Sequence, residues 1–547
     1  MARTPIFDRF TRLLTAALLS KPPGRSDTDT IELLSHLSNR QARQIISRRE
    51  FLHRAGLAGA AAVGLLSGAS GIARAARPSG SSLDVGIVGA GLAGLACADA
   101  LKQRGVRASL YEAAARAGGR CWSLRNVLPG QVAERGGELI DNLHKTMLGY
   151  AQRFGLAKEN VAKEPGEVFY HFGGQRYAEA VVVEEFREFV AVMRTDLNRL
   201  SREVTAETHT PQDVQLDRTS LLAYLDGQNG AGVPAGPVAK AAIVAAYEAE
   251  YGLAADEQSC LNFLLFIHAD RRAHFRPFGV FSDERYHLID GNDRIVEGLA
   301  GELPGQIEYG SELVRVRRTA AGRIELTLSQ GTRTIVKTHD VVVLTLPFTI
   351  LREVELDASL GLSAEKLNAI RQLGYGTNAK MMVGFSTRLW RTLGSNGTSY
   401  SDLPNHQLTW ETNPTLGTAT RGILTDYSSG ARGARLNQND LQTEVARFLG
   451  DLNVVYPGAL GAATKIGTDY LAHLEHWPSN PLSKGSYTCY RPGQFTTIAG
   501  LEGTPAGNLF FAGEHANSFY EWQGFMEGAA LSGIQAAQDI LTAARVG

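Results

Sequence analysis

Between residues 85 and 112 the chain reads VGIVGAGLAGLACADALKQRGVRASLYE, and this stretch restricts the fold more than any other. Val85 to Val88 and Ala108 to Tyr111 are short apolar runs of strand character, and between them Leu92 to Arg104 carries apolar residues at helical spacing. Gly89, Gly91 and Gly94 stand between the first strand and the helix in the pattern G-x-G-x-x-G. The first glycine permits a tight turn, the second lets a phosphate approach the backbone, and the third lets the helix pack on the strand. The helix start, with Leu92 and Ala93, then offers free N–H groups and a positive dipole end to an anion. Glu112 closes the second strand 18 residues past Gly94, where a carboxylate accepts a pair of ribose hydroxyls. Strand, glycines, helix, strand and acid in that order make a dinucleotide clamp. At this point NAD and FAD both fit it.

A chain of 547 residues has room for two or three domains with sizeable cores. With a net charge of −1 it shows no basic surface of the kind that nucleic acid requires. The charge is unevenly distributed: residues 1 to 75 hold 11 Lys or Arg against 5 Asp or Glu, which leaves the remainder at −7. Ser47-Arg48-Arg49-Glu50-Phe51-Leu52 resembles a twin-arginine export signal. It precedes a weakly apolar Ala/Gly run, Ala55 to Ile72, that ends in the cleavage pattern Ala73-Arg74-Ala75. A membrane span needs about 20 strongly apolar residues, and this run is too short and too rich in glycine. Residues 1 to 75 are therefore expected to be an export signal with a long leading region, read by the twin-arginine machinery. The mature protein would then be periplasmic or extracellular. Cys97, Cys121, Cys260 and Cys489 show no C-x-x-C spacing, the histidines form no ligand pair, and no metal site is expected.

Helical periodicity runs through residues 143 to 155, 181 to 202, 236 to 252, 441 to 452 and 524 to 544, and strand alternation dominates from Ile307 to Val343. Two polar stretches, Glu203 to Asp217 and Ser395 to His406, read as loops. Interleaved strands and helices place the chain in the α/β class.

Ala117-Gly118-Gly119-Arg120, just past Glu112, distinguishes the two dinucleotides. An arginine on a double-glycine turn neutralises a pyrophosphate from the side opposite the helix, an anchor that simple NAD dehydrogenases do not need. With it the chain resembles the flavin-containing amine oxidases: the monoamine, polyamine and L-amino-acid oxidases. Four further stretches carry the resemblance: LIDGNDRIVEGLAGEL (288 to 303), ELVRVRR (312 to 318), HWPSNPLSKGSYTCY (476 to 490) and NLFFAGEHANSFYEWQGFMEGAALSG (508 to 533). The resemblance implies FAD, held by a Rossmann-like domain assembled from residues 83–145, 288–350 and 475–547. Residues 146–287 and 351–474 would form a mixed α/β substrate-binding domain. It also implies cofactor contacts at Gly89, Gly91, Leu92, Ala93, Gly94, Glu112, Ala113, Gly119, Arg120, Gly137 and Glu138. Further contacts are implied at Val314 (adenine, through backbone), Gly513, Glu514 (ribityl chain), Gly524, Phe525 and Met526.

The same resemblance implies the catalytic set. Tyr487 and Phe525 take the positions of two aromatic walls perpendicular to the flavin; many relatives carry tyrosine or tryptophan where Phe525 stands. An apolar pocket of this kind favours the neutral amine by desolvation and holds its C–H bond over the flavin. Lys380, inside the apolar run AKMMVGF, matches the lysine that holds a water against flavin N5 and assists reoxidation by O2. Trp477 matches a tryptophan nine positions before the cysteine that binds flavin covalently in monoamine oxidases; Ser486 stands at that ninth position here, so FAD is expected to be noncovalent.

Substrate class divides the family. L-Amino-acid oxidases carry G-x-M-R, whose arginine binds the substrate carboxylate; the matching stretch here is Gly136-Gly137-Glu138-Leu139. Leu139 cannot clamp a carboxylate, so the expected reaction is oxidative deamination of an amine, with O2 reduced to H2O2. An L-amino-acid oxidase is the alternative, with Arg135, Arg271, Arg272 or Arg276 as substitute clamps, and a non-catalytic flavin-binding protein stands behind both. Asp141 falls where some polyamine oxidases place a tunnel acid, although it also suits the cap of a helix near Leu143.

Overall fold

A computed structural model describes residues 83–161, 165–267, 285–413 and 420–546. The stretch read as an export signal and Arg271, Arg272 and Arg276 lie outside the described residues. Val85–Val88 is buried along its whole length and forms the middle of a five-stranded parallel sheet. Ala108–Tyr111 and then Ile307–Glu308 lie on one side, Val341–Leu344 and then Leu509–Phe511 on the other. Parallel strands buried on both faces need continuous apolar runs and helical cover. The helices Leu92–Lys102 and Met526–Val546 supply that cover and pack closely on each other. Gly533 makes the approach possible, because a Cβ there would lie 2.0 Å from the Ala93 carbonyl oxygen.

Beside this sheet lies a smaller one of four strands, in the order Arg333–His339, Ile324–Gln330, Glu312–Arg318 and Glu355–Leu356. Its last strand falls beyond residue 350 in sequence yet pairs in parallel with Glu312–Arg318. The third sheet has seven strands in the order 472–476, 379–385, 422–428, 408–411, 395–401, 167–172 and 175–177. The helix Leu441–Val455 covers one of its faces through Val445, Phe448, Leu449 and Leu452, which pack against Met381, Val383 and Leu424. The long helices Glu179–Leu197 and Pro237–Tyr251 pack on each other and on the inner strand 167–172, the second helix also on 395–401 and 408–411.

Both stretches read as loops contain regular structure. Within 203–217 a helix, Pro211–Asp217, opens on a capping box in which Thr210 and Asp213 exchange hydrogen bonds, with proline in its first turn. Ser395–Ser401 is an inner strand of the seven-stranded sheet despite its polar sequence. Its hydroxyls find partners inside: Ser395 meets the Tyr456 hydroxyl at 2.9 Å, Ser399 meets Thr409 at 2.6 Å, and Ser401 meets His406 at 2.6 Å. Buried hydroxyls that are fully bonded carry no desolvation penalty large enough to exclude them from a sheet. The four cysteines are buried free thiols.

Candidate active site

The clamp folds as its glycines demand. Gly89 sits at φ +101° and donates to the Tyr111 carbonyl at 2.7 Å, which ties the turn to the second strand. A Cβ at Gly94 would lie 2.0 Å from the Gly89 carbonyl oxygen, so helix and turn touch there. Gly91, the helix N-cap, is different: a Cβ there would meet no atom within 4 Å, because it opens into a cleft of about 500 Å³. Leu92, Ala93, Glu112, Ala113, Gly119, Arg120, Val314, Gly513, Glu514, Phe525 and Met526 line the same cleft. Residues spread over more than four hundred positions thus converge on one elongated space beside the helix amino end.

Glu112 does not simply point into that space. Its two oxygens accept from the amides of Ala90 at 2.7 Å and Ala114 at 2.8 Å. Burial pushes its carboxyl up, against the pull of these bonds. A carboxylate has about four acceptor sites, so two remain for hydroxyl donors. Val314 occupies a bulge: the pairing with Ile324–Gln330 runs from Leu313 to Arg315 and skips it. A bulged residue leaves the ladder, which frees its backbone toward the cleft.

Arg120 donates to the Ser486 carbonyl at 2.7 Å and to Glu514 at 3.0 Å. Burial alone would raise the Glu514 carboxyl, but the Arg120 guanidinium beside it helps hold it below the usual carboxylate range. Glu514 also accepts from the Gly524 amide at 3.1 Å and from Thr488 at 3.3 Å, so it joins three segments of the lining. Gly513 and Gly524 both have positive φ, at +142° and +85°. The final helix begins at Met526 rather than at Gly524. Arg116 escaped the sequence reading although it lines the cleft; its guanidinium lies 3.7 Å from the centre of the Trp122 ring. Its spacing, four residues before Arg120 across the double-glycine turn, was the available signal.

The predicted catalytic group is split between the cleft wall, which Trp477 and Phe525 line, and the layer behind it, where Tyr487 and Lys380 stand. Trp477 lines the cleft, donates to the Arg135 carbonyl at 2.9 Å and packs against Tyr487, both rings buried. Tyr487 donates to the Ala249 carbonyl at 3.1 Å and meets the Tyr427 hydroxyl at 3.1 Å. Phe525 stands edge-on to His144 and Trp522. Lys380 is buried in the strand Ala379–Phe385, behind the cleft wall rather than on it. It is ion-paired with Glu138 and donates to the Gly136 carbonyl at 3.2 Å. Glu138, predicted as a cofactor contact, is not among the residues that line the cleft; it is the lysine's ion-pair partner, and its second oxygen accepts from Trp410 at 2.9 Å. Gly137 touches the cofactor wall indirectly, since a Cβ there would lie 2.7 Å from the Met526 sulfur. Trp410 and Tyr427, whose rings meet edge to face at 5.3 Å, carried no sequence signal.

On the substrate side Leu139 is buried. Arg135, a candidate carboxylate clamp, is committed elsewhere: it binds Glu475 at 2.5 Å and stacks 3.1 Å from the Trp122 ring centre. Asp141 accepts from the Leu143 amide at 2.5 Å, capping the turn before the helix Lys145–Arg153. Among the described residues no cluster of His, Cys, Asp and Glu could hold a metal ion, and no helix is long and apolar enough to cross a membrane.

Comparison with known proteins agrees with this geometry. A Bacillus subtilis protein provisionally named an L-amino-acid oxidase is 25% identical over 482 residues, covering 83% of this chain and 94% of its own. The L-amino-acid oxidase of Siganus canaliculatus is 24% identical over 479 residues, covering 84% and 85%. Among solved structures, cyclohexylamine oxidase from Brevibacterium oxydans shares the fold with a TM-score of 0.70 at 19% identity, over 85% of this chain and all of the other. The family model for flavin containing amine oxidoreductase matches residues 92–541. With that match over most of its length, and with its glycine turns, Arg120 and Glu514 gathered on one cleft, the chain belongs to the flavin-containing amine oxidoreductases.

Proposed function

We propose that this protein is an FAD-dependent amine oxidase that converts an amine to its imine, which water then hydrolyses to aldehyde and ammonia, while O2 is reduced to H2O2. Bound FAD supplies the two-electron acceptor for the C–H bond beside nitrogen. The residues of the cleft fit such a group: an open helix amino end at Gly91, an acid with acceptor sites to spare at Glu112, a freed backbone at Val314 and the Arg120–Glu514 pair. FAD is held without a covalent bond, because Ser486 stands at the attachment position and donates to Asn378 at 2.5 Å. Tyr487 and Phe525 exclude water and desolvate the substrate nitrogen, which favours its neutral, oxidisable form. Lys380, behind the cleft wall and donating to the Gly136 carbonyl, would supply a proton toward the flavin site for the return of electrons to O2.

Buried, apolar Leu139 carries the choice of amine over amino acid, together with the commitment of Arg135 to Glu475. A buried carboxylate without a partner costs several kcal/mol, and each ~1.4 kcal/mol is a factor of ten. An amine should therefore outperform the amino acid that differs from it only by a carboxylate by ~100-fold or more in kcat/KM. Phenethylamine against phenylalanine and cadaverine against lysine, assayed by peroxide release, make the comparison. Equal or better turnover of the amino acids overturns the amine assignment. It would favour the second reading, an L-amino-acid oxidase, to which the named relatives point. We also propose export by the twin-arginine pathway, on the strength of Arg48-Arg49 and the run that follows them.

A further inference from the structure

The Lys380–Glu138 pair has a consequence that depends on reading the cleft as a flavin site. Both side chains are buried, and among the described residues each is bonded to nothing that carries a net charge except the other. The remaining partners are neutral: the Gly136 carbonyl for the lysine and the Trp410 indole N–H for the glutamate. Lys380 sits opposite Tyr427 on one neighbouring strand and opposite Glu475 on the other, so both face it across the sheet. Tyr427 is bonded to Tyr487, and Glu475 is itself balanced by Arg135, with His473 at 3.5 Å. Each of the two pairs therefore sums to zero, with Arg135 partly exposed and the other three side chains buried.

Their position gives that balance a target. Gly136, which accepts from Lys380, is wedged between two residues of the cleft wall: a Cβ there would lie 1.8 Å from the Arg120 carbonyl oxygen and 3.1 Å from the Trp477 ring. The ammonium is thus one residue's thickness from the end of the cleft that the flavin ring would occupy. Reduction places negative charge on a flavin. An uncompensated ammonium at this range would stabilise the reduced form and make electrons harder to pass on, because charges interact strongly where water is excluded.

We propose that Glu138 is a positioning residue that cancels the charge of Lys380 at the flavin, so that the lysine donates its hydrogen bond and proton without raising the reduction potential. Trp410 holds the carboxylate in place for this role. The lysine's reach to the cofactor and the cofactor's potential are thereby set by different residues.

The test is the midpoint potential of the flavin-loaded protein at pH 6.5, on the acid side of lysine titration, by equilibrium titration with a reference dye. Glu138→Gln leaves the ammonium uncompensated and should favour the reduced flavin at least tenfold, ~30 mV upward for a two-electron couple. Lys380→Met leaves the carboxylate and should shift the potential by a similar amount downward. The double variant removes both charges and should return to the wild-type value, as should Glu138→Asp, which keeps the charge. Should Glu138→Gln fail to fold, the Lys380→Met, double and Glu138→Asp proteins complete the same comparison. Single variants whose potentials stay put, or move in the same direction, overturn the pairing role while leaving the flavin site intact. A wild-type chain that takes up no flavin overturns the reading of the cleft and the proposal with it.

Discussion

Gly91 and Gly94 belong to one motif, yet the structure gives them different reasons to be glycine, and substitution by alanine should separate those reasons. At Gly94 the added Cβ would lie 2.0 Å from the Gly89 carbonyl oxygen. An ordinary C···O contact needs ~3.3 Å, so helix and turn must part by roughly 1.3 Å. Overpacking of this kind costs ~1–3 kcal/mol, and Gly94→Ala should lose that much stability with or without flavin. At Gly91 the backbone is at φ −73°, which alanine adopts freely, and among the described residues no atom lies within 4 Å of the added carbon. Loss of a preferred N-cap residue costs the fold some tenths of a kcal/mol, and the stiffer unfolded chain returns ~0.4–1 kcal/mol. The flavin-free Gly91→Ala protein should thus match the wild type to within ~0.5 kcal/mol in urea. Its methyl group, however, stands where the pyrophosphate must pass. A clash worth ~1–3 kcal/mol in the complex weakens flavin binding ~5- to 150-fold. Flavin titration followed by fluorescence, alongside urea midpoints of both forms, reads the two effects separately. Wild-type flavin affinity in Gly91→Ala would refute the assignment of the open space to the cofactor. A Gly94→Ala protein as stable as the wild type would refute the packing argument.

Replacing Lys380 with Met should slow reoxidation of the reduced protein by O2 by roughly 100-fold, the scale of a positioned proton donor, and affect amine-driven reduction far less. Stopped-flow traces of the two half-reactions decide it, and wild-type reoxidation would return the lysine to a structural role. Burial pushes Asp426 up to about 7, so the native state holds a proton there that the unfolded chain releases above its ordinary value. The stability that this proton brings is complete in acid and drains away as pH rises through about 7. Asp426→Asn should therefore flatten the fall in unfolding free energy, from urea titrations, between pH 5 and pH 8 by on the order of a few kcal/mol; an unchanged slope would assign it to other groups. Exchanging Arg48 and Arg49 for lysine should retain the protein in the cytoplasm, and unchanged periplasmic activity after fractionation would contradict the export proposal.

The features legible in the chain alone are local ones. A turn at Gly89, a helix start at Gly91 and an acid at Glu112 are steric and hydrogen-bonding requirements met within one βαβ unit, so they can be read without knowing anything distant. The resemblance of the later motifs extended this to Val314, Glu514 and Met526, which line the same cleft. Local rules failed where burial, rather than propensity, selected the conformation. Ser395–Ser401 is a strand because partners from other elements satisfy its hydroxyls, and no neighbouring residue announces them. Charge pairing was still less legible. Glu138 and Lys380 lie 242 positions apart, Arg120 and Glu514 394, and Arg135 and Glu475 340. Nothing in the chain near Glu138 distinguishes a ligand contact from a counter-charge, since a carboxylate beside two glycines suits either. The pairing becomes visible once the fold brings a buried lysine to Glu138 across a sheet, and it forms because two buried ions are far cheaper together than apart.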